Sequence, residues 1–154
     1  MKTLTEHINE ALKIGKNLSE WSAYSCQPKT KDELQEIIKD RIDKEGPKCD
    51  LNDIDVSLIE DMTGLFWESI FNGDISKWDV SNVTNMARMF YDCELFNKDI
   101  SSWDVSNVTN MKYMFYKCES FNQDISNWDV SNVTIQYGIF YNCPIKNEYK
   151  PKFK

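Results

Sequence analysis

Four sets of residues in this chain have side chains able to do chemistry, and three of them recur at a fixed spacing. Cys93, Cys118 and Cys143 stand 25 residues apart, Asp74, Asp99 and Asp124 repeat the interval, and Asp79, Asp104 and Asp129 repeat it again. The fourth is His7, the single histidine. A zinc site needs thiolates or imidazoles in close pairs, because four ligands must converge on one tetrahedral ion. Cysteines placed once per 25 residues read instead as small buried hydrophobes filling a tight bend. Carboxylates repeated along a stack can chelate calcium, but repeat proteins that do so use Gly-rich nonapeptides with several acids per turn. These segments are Gly-poor, so the Asp79 column is expected to accept hydrogen bonds from turn amides in "DVSN", beside a ladder of Asn82, Asn107 and Asn132. A Ser-His-Asp or Cys-His site would have to use His7, which reads as a surface residue of an amphipathic helix. No Gly-rich phosphate loop followed by lysine occurs. The expectation is a non-enzymatic chain with no catalytic residue, no metal and no cofactor.

The positioning element is a repeat. "FNGDISKWDVSNVTNM" from Phe71 returns as "FNKDISSWDVSNVTNM" from Phe96 and as "FNQDISNWDVSNVT" from Phe121. Superposed, the copies align Phe71 with Phe96 and Phe121, Ile75 with Ile100 and Ile125, Trp78 with Trp103 and Trp128, and Phe90 with Phe115 and Phe140. An earlier, degenerate copy, "DVSLIEDMTGLFWES", fits at a spacing of 24 and places Phe66 over Phe90. About four such units suffice for an array in which each coil buries its neighbour. Apolar identity at this period predicts parallel coils stacked about 4.8 Å apart, each column becoming a ladder through the core. A short strand near "DIS" is expected, followed by a bend. Met86, Met89 and Phe90, at i, i+3 and i+4, suggest a helical turn capped by Thr84 or Asn85. The expected fold is therefore an α/β repeat, a short solenoid with parallel short strands and helical turns on the other side.

Such an array needs caps. Residues 1–50 are expected to supply N-terminal helices: one over about Leu4 to Leu18, then "TKDELQEIIKDRIDKEGP", in which Thr30 and Glu33 form a capping-box pattern and Gly46-Pro47 ends the helix. Residues 51–143 are the array, and 144–154 a basic tail, frayed or a loose C-terminal cap.

The repeated text "FNxDISxWDVSNVTNMxxMFxxC" resembles the BspA-like leucine-rich repeats of bacterial surface proteins and mycoplasma lipoproteins, over roughly residues 50–143. The resemblance implies a leucine-rich-repeat fold and a role in protein recognition. A second resemblance is confined to "MKTLTEHINEA", which is similar to the capsid-targeting leader of internal head proteins of large tailed phages, cut after an Ile-x-Glu; here Ile8-Asn9-Glu10 precedes Ala11. That likeness implies a phage-encoded, virion-packaged protein that binds and inhibits a host defence enzyme. A bacterial surface adhesin is a third reading.

Net charge is −7, and it is unevenly placed: residues 53–143 sum to −9 and residues 144–154 to +3. An acidic body repels phosphate, which disfavours nucleic-acid binding and leaves a partner with a basic surface, or mimicry of nucleic acid, open. No early stretch has signal-peptide order and no apolar run reaches membrane-spanning length. Five cysteines, an odd number, agree with a reducing cytoplasm, of the host cell if the protein is phage-encoded. The "NVT" sequons at Asn82, Asn107 and Asn132 are better explained by structure than by glycosylation. In repeat proteins the binding face is where copies differ. Tyr91, Tyr116 and Tyr141 occupy one column after the buried Phe, flanked by Arg88, Tyr113 and Tyr137, and these six are expected to contact a protein partner, because tyrosine gives contact area at low entropy cost. The alternative face is the strip of Asp74, Asp99 and Asp124 with Ser76, Ser101 and Ser126.

Overall fold

The computed structural model describes residues 25–154. The expected helix over Leu4–Leu18, His7 and the Ile8-Asn9-Glu10 pattern lie outside the described residues. Helix α1 spans Lys31–Glu45. Thr30 caps it by accepting from the Glu33 amide at 3.2 Å, while the Glu33 carboxylate accepts from the Lys29 amide at 2.8 Å. It ends where Gly46 turns to φ 88° and returns its amide to the Ile42 carbonyl. Leu34 and Ile38 are buried against the first coil, and Arg41 reaches the Asp53 carboxylate at 2.9 and 3.1 Å, tying the helix to the stack.

Beyond α1 the chain forms four layers, but the expected α/β leucine-rich-repeat solenoid is wrong. Among the described residues there is no β-strand, only isolated parallel bridges such as Asp61↔Asn85, Asn85↔Asn110 and Asn110↔Ile135. None of the coils contains an α-helix; besides α1 the described residues hold one 3₁₀ turn, Asn147–Tyr149. The physical reason is the way backbone groups are paired. From Met86 to Cys93, apart from Ala87, whose amide donates to the Asn85 side chain at 3.1 Å, alternate amides go to two destinations. Met86, Arg88, Phe90 and Asp92 donate to the Asn110, Lys112, Met114 and Tyr116 carbonyls of the next coil, at 2.8–2.9 Å. Met89, Tyr91 and Cys93 donate to Met86, Arg88 and Phe90, three residues back. A helix would send every amide back four residues and a strand would send none back, so the segment is neither. It is a ribbon of consecutive β-turns, closed by Arg88 and Asp92 in the left-handed region at φ 55° and 57°. The i, i+3, i+4 spacing of Met86, Met89 and Phe90 holds all the same, because the turns bring those residues to one side.

On the opposite side the strand expected at "DIS" is replaced by side-chain-closed turns. The Asp74, Asp99 and Asp124 carboxylates accept from the amides two residues on, Ser76, Ser101 and Ser126, at 2.9–3.0 Å. Asp79, Asp104 and Asp129 do the same for Ser81, Ser106 and Ser131. An aspartate that satisfies its own turn locally has no need of a strand partner. Side chains then join the layers: Asn82, Asn107 and Asn132 donate to the Ser57, Ser81 and Ser106 carbonyls one coil back.

Between the two sides lies an aromatic core. Phe66, Phe90, Phe115 and Phe140 stack with ring centroids 5.3–5.7 Å apart. Phe71, Phe96 and Phe121 form a parallel ladder, each of its first two contacts within 6.2 Å. The two ladders interlock at 4.2 Å through Phe90–Phe96 and Phe115–Phe121. Trp78, Trp103 and Trp128 stack beside them, and each indole N–H donates to a carbonyl one coil back (Leu51, Ile75, Ile100) at 2.8–3.2 Å, which satisfies the polar atom that burial would otherwise penalise. The thiols of Cys93 and Cys118 likewise donate to the Phe66 and Phe90 carbonyls. The C-terminal residues close the stack: Ile145 and Pro151 are buried and the Tyr149 carbonyl accepts from the Ile125 amide at 3.0 Å.

Candidate functional site

The turn ribbon presents a further aromatic ladder on its outer side. Tyr91 and Tyr116 stack at 4.7 Å and Tyr116 and Tyr141 at 5.0 Å. Trp67 extends the column at 5.0 Å from Tyr91. It was not among the expected site residues, although its spacing of 24 from Tyr91 is that of the degenerate first copy. Tyr91 and Tyr116 are half-buried, while Trp67 and Tyr141 are exposed.

The flanking residues come together, though in a different register from the one expected. Arg88 aligns with Tyr113 and, 25 residues on, with Gly138 rather than Tyr137. Gly64, Arg88, Tyr113 and Gly138 are one column, and all four adopt positive φ, 55–64°. Glycine takes that conformation without a steric penalty; Arg and Tyr do not. Tyr137 stands one position earlier, 68% exposed, with its ring edge-on to Tyr113 at 5.2 Å. Tyr113 in turn meets Tyr91 and Tyr116 edge-on at 6.4 and 5.4 Å. The Arg88 guanidinium lies 5.7 Å from the Trp67 ring and 5.6 Å from the Tyr113 ring, and Lys112 Nζ lies 5.2 Å from the Tyr113 ring. Trp67, Arg88, Tyr91, Tyr113 and Tyr116 line a shallow depression of about 230 Å³.

The acidic side is chemically quieter. Its carboxylates are already committed to their own turns. The Ser101 amide and hydroxyl hold Asp99 below the usual carboxylate range, the Ser76 amide does so for Asp74, and the Ser126 hydroxyl and amide do so for Asp124. In the cysteine column burial pushes Cys93 up to about 12 and Cys118 higher still, so neither of these two offers a thiolate near neutral pH. Among the described residues no three His, Cys, Asp or Glu side chains are grouped to hold a metal ion, and no helix is long and apolar enough to cross a membrane.

A family model described as "Mycoplasma protein of unknown function, DUF285" matches residues 33–153, which takes in all four layers and most of α1. No curated protein and no solved structure matches the chain.

Proposed function

The chain belongs to the DUF285 family of mycoplasma proteins of unknown function, and within that family we propose that it is a non-enzymatic recognition module that binds a protein through its outer aromatic ladder. The observation that carries this reading is the left-handed column. At its two ends stand Gly64 and Gly138, the residue type that fits the conformation without strain. In the middle stand Arg88 and Tyr113, each held at positive φ at a cost of about 1–2 kcal/mol, and both line the depression. A second column, Glu68, Asp92, Lys117 and Asn142, is left-handed too, so the conformation belongs to the ribbon; what sets Arg88 and Tyr113 apart is that large side chains replace glycine where the concavity lies. Rigid aromatic rings and an arginine are also the residue types that anchor protein interfaces. The likeness of the repeated text to bacterial surface repeat proteins supports the same reading.

The test compares two triple variants, each first shown to be folded by circular dichroism and thermal melting. One replaces Tyr91, Tyr116 and Tyr141 with Ala; the other replaces Asp74, Asp99 and Asp124 with Asn, which still accepts the turn hydrogen bond. In extracts of the native host, the tyrosine variant is expected to lose capture of partners that wild type retains, and the aspartate variant to keep it. The opposite pattern assigns binding to the acidic side and ends this proposal.

A further inference from the structure

The chemistry of the partner at this site follows from where the cations are. Residues 53–143 carry fourteen acidic and only five basic side chains. Three of the five bases, Arg88, Lys112 and Lys117, belong to the turn ribbon of the two middle coils, and two of them sit on the same ring, Tyr113. Neither Arg88 nor Lys112 forms an ion pair among the described residues, where the pairs found involve Arg41 and Lys44 near α1. Two acids adjoin the ladder. Glu68 accepts from the Trp67 indole N–H at 2.8 Å, so one of its oxygens is engaged, and Asp92 follows Tyr91 in the second left-handed column. The immediate surroundings of Tyr113 are therefore cationic on an otherwise acidic body. Opposing charges elsewhere on the molecule are attenuated, because the screening length at physiological salt is about 8 Å.

The depression is also shaped for a flat, two-oxygen group. A guanidinium held between Trp67 and Tyr113 is oriented by the rings and keeps its in-plane N–H donors for a ligand. A fork of that kind matches a carboxylate, which accepts two parallel hydrogen bonds. Lysine at this position would supply charge without the fork.

We propose that the depression receives an acidic side chain of the partner protein, its carboxylate paired with Arg88 and Lys112 and its backbone lying along Tyr91 and Tyr116. This rests on the recognition reading of the aromatic ladder and adds the partner's chemistry to it. A long-range preference of the −9 body for basic surfaces concerns the aspartate columns, not this island.

The experiment titrates the full chain with three blocked tripeptides, acetyl-Glu-Tyr-Glu-amide, acetyl-Gln-Tyr-Gln-amide and acetyl-Lys-Tyr-Lys-amide, and separately with inorganic phosphate. Binding is followed by NMR at the Arg88 Nε–H and the Trp67 indole N–H. The Glu peptide is expected to shift both resonances and to bind about ten-fold more tightly than the Gln peptide, the margin of one charge-assisted contact. Arg88→Gln should erase that margin, and Arg88→Lys should restore part of it. Equal affinity for the Glu and Gln peptides overturns the carboxylate assignment, as does a preference for the Lys peptide. If either of those peptides still loses binding in Tyr116→Ala, the aromatic face stands and only its chemistry is wrong. Phosphate saturating both resonances while the Glu peptide leaves them unmoved makes this a simple anion site and overturns the proposal as well. Silence of both resonances with all four probes removes the carboxylate proposal and the aromatic-face reading together.

Discussion

Tyr113 lies against Gly138 one coil above it, so closely that a β-carbon on the glycine would fall 2.5 Å from the tyrosine ring. The two residues share a column and a left-handed backbone, yet one supplies a side chain and the other the space for it. That pairing fixes the orientation of Tyr113 and, through it, of Arg88 and Tyr137, which both rest on its ring.

Opposite substitutions in this column are expected to have opposite effects. Arg88→Gly relieves about 1–2 kcal/mol of left-handed strain and costs about 0.4–1 kcal/mol of added unfolded-chain entropy. Its stability should match or slightly exceed that of wild type in urea denaturation, while the preference for the Glu peptide disappears. Gly138→Ala adds strain and displaces the Tyr113 ring, so a loss of about 1–3 kcal/mol is expected. A destabilised Arg88→Gly would show that the arginine is there for the fold and not for a ligand.

Phe115→Ala should cost about 3–5 kcal/mol, since the ring is fully buried and stacks on Phe90, Phe121 and Phe140. Phe140→Ala, in the last coil and only partly buried, should cost roughly half as much. Equal losses at the two positions, read from denaturant midpoints, would contradict the ladder as the source of stability.

Gly73 is set by a different constraint. Its φ is ordinary, but a β-carbon there would lie 1.9 Å from the Cys49 carbonyl oxygen, a backbone atom that cannot rotate away. The corresponding positions, Lys98 and Gln123, carry full side chains. Gly73→Ala is expected to cost about 3 kcal/mol or more and to loosen the junction between α1 and the first coil. Faster hydrogen exchange confined to residues near Cys49 is the expected signature; an unchanged melting temperature would sink the idea.

Stability should fall at both ends of the pH scale. Serine hydroxyls and amides hold Asp74, Asp99, Asp104, Asp124 and Asp129 below their ordinary range. A carboxyl depressed on folding contributes stability above its unfolded pKa and loses it as the pH drops through the folded value, so the acid loss begins in the ordinary carboxylate range and continues below it. The buried Cys93 is raised to about 12, so its contribution is complete below the ordinary thiol range and is lost progressively as the pH climbs towards 12. Replacing Asp99 with Asn, whose amide oxygen accepts at any pH, should narrow the acid loss; an unaltered acid limb would remove the turn carboxylates as its cause.

Much of the interior was legible in the amino-acid text because burial leaves an identity signature. Phe, Ile, Trp, Val and Cys recur at one interval, and those residues build the ladders. The backbone between them was misread. Apolar spacing reports which side chains share a face, and a ribbon of β-turns satisfies the same spacing as a helical turn, so Met86, Met89 and Phe90 could not separate the two. The distinguishing clues were polar: Asp or Asn followed two positions later by the residue whose amide it accepts, and glycine at positions 64 and 138 framing a left-handed column. The site was half legible. The tyrosine column stood out, whereas Trp67 was hidden by the one-residue-shorter first repeat, and Tyr137 was placed one position out of register. Strict counting from Tyr113 leads to Gly138, and only the missing side chain there explains how Tyr113 is held.

Among the described residues the backbone bonds that join the layers run between adjacent repeats, as in Thr84 to Thr109 to Thr134. The molecule is therefore a gauge with a fixed graduation. Duplicating one internal 25-residue segment would lengthen the outer ladder by one ring, a step of about 5 Å on the Tyr116–Tyr141 spacing, and leave the remaining contacts as they were. Deleting one would shorten it by the same step. The length of the outer ladder therefore changes only in whole increments of one repeat.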